Sequence, residues 1–123
     1  LFAADDIRFT PGWWEATKEL RDDEQIGVIV TNDSATGSGN PRVAAGEHTC
    51  HPLVRADYIR REGTIDQPGA AVHEGYHHSF VDDELIFTAK LRGAWAFCRE
   101  AIIEHLHPWW NPNTVSWDAT YAK

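Results

Sequence analysis

His73, Glu74 and His77 are the residues whose types and spacing most directly suggest chemistry. They lie in the stretch Ala70-Ala71-Val72-His73-Glu74-Gly75-Tyr76-His77-His78-Ser79-Phe80, which carries three of the chain's seven histidines. His73-Glu74-x-x-His77 has the ligand pattern of a zinc hydrolase. On a helix, residues four apart share a face, so the two imidazoles can hold one ion. Glu74 would then act as general base on the zinc-bound water. Glu100 is the candidate third ligand, with Glu104, His105 and His107 as further choices.

Local features oppose that helix. Gly75 lies inside the motif and costs about 1 kcal/mol of helix stability relative to Ala. Pro68-Gly69 leaves little helix before His73, and the His-x-x-Gly-x-x-His extension is absent. The preferred expectation is a strand over 70–74 that ends in a turn at Gly75, with no catalytic residue, no metal and no cofactor. Zinc is the alternative. His48, Cys50 and His51 form a partial metal-ligand cluster, but His51 precedes Pro52 and no partner pair lies at zinc-finger spacing. A polar turn is preferred there. Asp82-Asp83-Glu84 reads as a solvated turn, and adjacency alone does not make Ser79 and His78 a catalytic pair.

The elements that must position these groups follow in order. Residues 1–9 read as an extended arm. Thr10 and Pro11 suit a helix start, and Trp13, Ala16 and Leu20 keep helical spacing. Ile26 to Val30 is a β-branched run, hence a strand. Residues 32–41 read as a flexible loop whose glycines lack the Gly-Lys-Ser/Thr ending of a phosphate loop. Residues 42–50 read as a further strand, and 52–61 as either a short helix or an extended segment. Leu85, Phe87, Ala89 and Leu91 alternate with Ile86, Thr88 and Lys90, which favours a strand. Trp95, Cys98, Ile102 and Leu106 keep helical spacing, so 94–107 reads as the longest helix, stopped by Pro108. Residues 108–123 form a packing tail. The expected fold is a single α+β domain: a small antiparallel sheet, an N-terminal helix and a longer C-terminal helix.

Composition narrows the functional classes. With 123 residues, one domain is the expectation. The formal net charge of −8 disfavours a nucleic-acid surface, which needs clustered Lys and Arg. No segment approaches a membrane span, and no intact signal peptide is evident. Cys50 and Cys98 form no C-x-x-C unit, and their pairing is left open. There are six tryptophans. Trp13, Trp14, Trp109, Trp110 and Trp117 are candidates for an interface, where Trp is enriched.

Ala71-Val72-His73-Glu74-Gly75, with a histidine two or three places on, resembles a segment of small bacteriophage head–tail connector and tail-completion proteins. The run Ala89-Lys90-Leu91-Arg92-Gly93-Ala94-Trp95 leading into a C-terminal helix is similar to that family's ending. Leu53 to Arg61 resembles its Leu-Arg strand. The resemblance implies a non-enzymatic structural subunit that forms a homo-oligomeric ring with other assembly proteins, in the virion or the host cytoplasm. A zinc hydrolase using His73, Glu74 and His77 is one alternative. A small-ligand-binding α+β domain is the other.

Overall fold

One of the two interior strands of the sheet is built from the segment whose spacing is most helical. The computed structural model describes residues 1–33, 41–76 and 80–108. Strands β1 (Ile7–Phe9), β2 (Val28–Asn32), β3 (Leu53–Val54) and β4 (Trp95–His105) form one sheet in the order β1-β4-β2-β3. Helices α1 (Trp13–Ala16), α2 (Lys18–Asp22), α3 (Pro41–Ala44), α4 (Ala56–Arg61) and α5 (Val81–Leu91) surround it. This is an α+β fold.

The sheet is mixed, which corrects the antiparallel expectation. β2 and β4 run parallel, with Val28 opposite Trp95 and Val30 opposite Phe97. A parallel pair needs a crossover, and α5 lies in that connection. The outer strands are antiparallel: β1 joins β4 with Ile7 opposite His105, and β3 joins β2 with Ile29 opposite Leu53. All five residues of β2 are buried, apolar at Val28 to Val30 and polar at Thr31 and Asn32, so it shows no inside–outside alternation. Val28 and Ile29 fall into separate core clusters, since neighbouring side chains on a strand point to opposite faces. One cluster gathers Trp13, Ile29, Cys98, Ala101 and Ile103; the other gathers Val28, Tyr58, Leu85 and Ala89.

Two element assignments reverse. Residues 94–107 hold strand β4 instead of a helix, because the strand contains an irregularity. Pairing passes from Val30–Phe97 to Asn32–Ile102, so β4 takes extra residues between those two rungs. Arg99 and Glu100 bulge outward, and the Asn32 amide donates to the Arg99 carbonyl at 2.8 Å. The bulge breaks the period of two and leaves spacings of three and four that mimic a helix. Residues 85–91 are helical, not extended. Leu85, Ile86, Thr88 and Ala89 are buried at helical spacing, while Phe87 and Leu91 are 61% and 64% exposed. Those two exposed apolar residues created the apparent alternation. Asp82, Asp83 and Glu84 occupy the first turn of α5, where carboxylates suit the helix dipole.

Residues 41–44 form α3 and no strand covers 42–50. Residues 52–61 contain both options, β3 and then α4. The arm contributes β1. Helix α1 begins after Gly12, and the Thr10 hydroxyl donates to the Ile102 carbonyl at 2.8 Å instead of capping it. Residues 70–74 form no strand, although Gly75 does lie in a turn. Most of the 32–41 loop and nearly all of the 108–123 tail lie outside the described residues. Among the described residues no helix is long and apolar enough to cross a membrane.

Candidate metal centre

The residues with ligand chemistry gather where the parallel strands end. Asp33 follows β2 directly, and His105 closes β4. Asp6 sits just before β1 and is brought alongside by the pairing of Ile7 with His105; the Leu106 amide donates to the Asp6 carbonyl at 2.7 Å. The segment 48–51 is stapled to the end of β2. The Thr31 hydroxyl donates to the His51 carbonyl at 2.9 Å and lies 3.0 Å from the Thr49 hydroxyl. The Cys50 amide donates to Asp33 Oδ2 at 3.0 Å, and the His51 amide donates to Thr49 Oγ1 at 3.0 Å. Backbone contacts therefore fix Asp6, Asp33, His51 and His105 near one another.

Asp6, His51 and His105 place one donor atom each within 4.8 Å of the others. His105 Nε2 stands 3.5 Å from Asp6 Oδ2, and the His51 and His105 rings meet edge to face with centroids 4.7 Å apart. His51 Nδ1 faces Asp33 Oδ2 at 3.5 Å. The His51 side chain is wholly buried, and neither ring nitrogen has a hydrogen-bond partner among the described residues. Asp33 Oδ1 is likewise buried without one. A buried polar atom without a partner costs about 1–3 kcal/mol, so several of them at one place call for a ligand. An ion bound by two imidazoles and one carboxylate meets that need and keeps further coordination positions open.

Two groups at the centre, His105 and Asp33, are held towards their deprotonated forms. Burial and the neighbouring His51 push the His105 imidazole below its ordinary value, against the opposing effect of Asp6 and Asp33. Burial alone would raise Asp33, but the contacts from His51 and the Cys50 amide outweigh it and hold the carboxyl below the usual value. By contrast, burial, aided by Asp33 and Asp82, drives the Cys50 thiol upward, so without a cation it stays protonated.

Both lowered groups predict that the metal-free protein loses stability on acidification. The unfolded chain protonates His105 near its ordinary pKa of about 6.5, before the native state does. Stability is present above that pH and is lost as pH falls through the native value. Asp33 acts in the same sense below its ordinary pKa of about 3.9. Urea denaturation in chelator at pH 7.5 and pH 5 should give a lower midpoint at pH 5. His105→Gln should flatten the difference. An equal midpoint at the two pH values in the parent would refute the assignment.

The residues of the His-Glu-x-x-His motif are placed elsewhere. His73 lies before a turn with both ring nitrogens engaged: Nε2 is 2.9 Å from Asp66 Oδ1, and Nδ1 accepts from the Gly75 amide at 2.9 Å. Glu74 is exposed, and Glu100 is exposed on the β4 bulge. None of the three belongs to a candidate metal group among the described residues. His77 lies outside them. Of the candidate interface residues, Trp13 is buried in the core, which removes it from any surface. Trp14 is 51% exposed with the Arg21 guanidinium 3.5 Å over its ring. Trp109, Trp110 and Trp117 lie outside the described residues.

Asp6 and Asp33 are not among the expected ligands; His51 stands only in the partial His48, Cys50 and His51 cluster, where a polar turn is preferred, and His105 only as a partner for His73. The signals were present but weak: the His48-x-Cys50-His51 cluster, an Asp just after the β-branched run, and His105-x-His107 at the end of a strand. Cys50 and Cys98 are both free thiols. No family model, curated protein or solved structure matches this chain.

Proposed function

We propose that this chain is part of a divalent-metal-dependent enzyme whose ion is held by Asp6, His51 and His105, with Asp33 orienting His51 from behind. The carrying observation is His51: fully buried, with Nδ1 against Asp33 and Nε2 lacking a hydrogen-bond partner among the described residues, beside a second imidazole. A carboxylate behind a metal-bound histidine fixes the ring and the tautomer. His51 Nδ1 faces Asp33, which leaves Nε2 for the ion.

The position favours a phosphate-bearing substrate. In open sheets with parallel strands, ligands bind outside the carboxyl ends of those strands, and Asp33 and His105 occupy those ends. The surroundings are acidic, with Asp33, Asp82 and Asp83 close by, so an anion needs an intervening cation. An ion held by three protein donors keeps coordination positions open, which phosphate oxygens of a substrate can take. When bound, the ion supplies a Lewis acid that stabilises charge on an attacking or departing oxygen. The chain's own residues hold the donors in place, and burial favours the neutral imidazole of His105. The reaction class is metal-assisted displacement at a phosphorylated substrate, as transfer or as hydrolysis.

Calorimetry on chelator-stripped protein tests this reading with Mn²⁺ and Zn²⁺, followed by pyrophosphate and a nucleoside diphosphate. Ion binding that His51→Leu abolishes, with either diphosphate binding only in the presence of metal, supports it. Metal binding without diphosphate binding would sink the substrate class but leave the centre. Equal metal affinity in the parent and His51→Leu would sink the centre.

Ring assembly is the second reading. Its support is the exposed Phe80, Phe87 and Leu91 at and along α5, together with exposed Trp14. The strand at 70–74 and the C-terminal helix that the phage-connector resemblance requires are replaced by a turn and by β4. Native mass measurement separates a homo-oligomer from a monomer.

A further inference from the structure

We infer that His48, Cys50 and Asp82 hold a second divalent ion, a zinc in a thiolate-containing site beside the first centre. The three donors lie within 4.8 Å of one another. His48 Nε2 is 3.6 Å from Cys50 Sγ and 3.6 Å from Asp82 Oδ2. On a tetrahedral zinc with a sulfur at about 2.3 Å and nitrogen or oxygen at about 2.0–2.1 Å, the nitrogen–sulfur edge is about 3.5 Å and the nitrogen–oxygen edge about 3.3 Å. The site is therefore close to the size zinc needs, without any large movement.

His48 supplies an independent pointer. Its side chain is nine-tenths buried, with Nε2 turned to Cys50 and Asp82, which leaves Nδ1 on the far side. That nitrogen faces Asp83 Oδ1 at 3.4 Å, and Asp83 Oδ1 accepts from the Arg42 guanidinium at 2.6 Å. A carboxylate behind the far nitrogen of an imidazole is the usual outer support of a metal-bound histidine. The α5 dipole explains acidic residues at 82 and 83, but not a buried imidazole and a thiol turned towards them.

Access and donor chemistry agree. Cys50 and Asp82 line a cleft of about 320 Å³ together with Phe2, Val72, Val81 and Leu85, which gives an entry path and room for a water as fourth ligand. A thiolate with imidazole and carboxylate selects zinc over magnesium or calcium. Binding releases the Cys50 thiol proton to solvent, since only the thiolate ligates. No donor is shared with Asp6, His51 and His105, although Cys50 also lies within 4.8 Å of donors of Asp33 and His105, so loss of the band in His48→Gln is what separates this site from the first.

The test is cobalt titration of the chelator-stripped full chain. Two ions per chain are expected, with a near-ultraviolet thiolate-to-cobalt charge-transfer band that added zinc removes. Cys50→Ser and His48→Gln should each lose the band and reduce binding to one ion. Cys98→Ser should keep both ions and the band. His51→Leu should lose the other ion and keep the band. Absence of the band in the parent protein overturns the second site, whatever the variants do. Its loss in Cys98→Ser, or its survival in Cys50→Ser, does the same.

Discussion

His51→Leu is expected to abolish tight divalent-metal binding while leaving the metal-free protein at least as stable as the parent. Removal of a ligand should cost more than the 10–100-fold typical of outer-shell partners, so a fall of about 100-fold or more in affinity is expected. Metal-free stability should move the other way. In the parent, both ring nitrogens of His51 are buried, with no hydrogen bond among the described residues beyond the 3.5 Å contact of Nδ1 with Asp33, and an unsatisfied buried nitrogen costs about 1–3 kcal/mol. Leucine fills similar space and carries no polar atom, so their removal offsets the lost packing and the altered Asp33 contact. Saturating metal at about 1,000 times Kd should stabilise the parent by about 4 kcal/mol and the variant by nothing. Thermal melts in chelator and in excess metal should therefore cross over: the variant equals or exceeds the parent without metal and falls below it with metal. A variant that loses several kcal/mol in chelator would show that His51 is a packing residue and not a ligand.

Ile103→Ala should be the most damaging change outside the centre. Ile103 is wholly buried, faces Phe9 across the β1–β4 pair, and packs with Trp13, Ile29, Cys98 and Ala101. Truncating a buried isoleucine to alanine costs about 2–5 kcal/mol, a large part of the roughly 5–15 kcal/mol that holds a domain folded. Its neighbour Ile102 is only partly buried, and Ile102→Ala should cost clearly less. Phe87→Ala, on the exposed side of α5, should change stability by about 0.5 kcal/mol at most. Urea midpoints of the three variants test this ranking. A helix over 94–107 would place Ile102 in the buried stripe with Trp95 and Cys98, and would invert the first two. An Ile102 loss larger than that of Ile103 would refute strand β4.

The elements that were legible in the sequence are those whose own residues decide them. The run into Val28–Asn32 is buried on both faces, and its composition alone marks a strand. Trp13, Ala16 and Leu20 keep a helical stripe against one side of the sheet. Trouble began where tertiary contacts set the pattern. In α5, Phe87 and Leu91 face outward, so hydrophobicity did not report burial. In β4, the inserted residues at Arg99 and Glu100 scrambled the alternation. The centre was less legible still. Its donors come from the arm, the end of β2, the turn at 48–51 and the end of β4, and only the parallel pairing of β2 with β4 assembles them. The compact His73-Glu74-x-x-His77 pattern drew attention because it is local, yet Asp66 and the Gly75 amide already engage both nitrogens of His73.

The bulge in β4 also determines which face of the sheet carries a functional group. Ile29 packs with Cys98 on the near side of the irregularity and with Ala101 and Ile103 beyond it. An even-numbered and an odd-numbered position therefore share a face, so the bulge inverts the parity of the strand. His105 inherits that inverted parity. Loss of a single residue between Cys98 and Ala101 would leave every donor in the chain but turn His105 to the opposite face, away from Asp6 and His51. The length of that short excursion is thus as much a part of the metal site as the histidine it delivers.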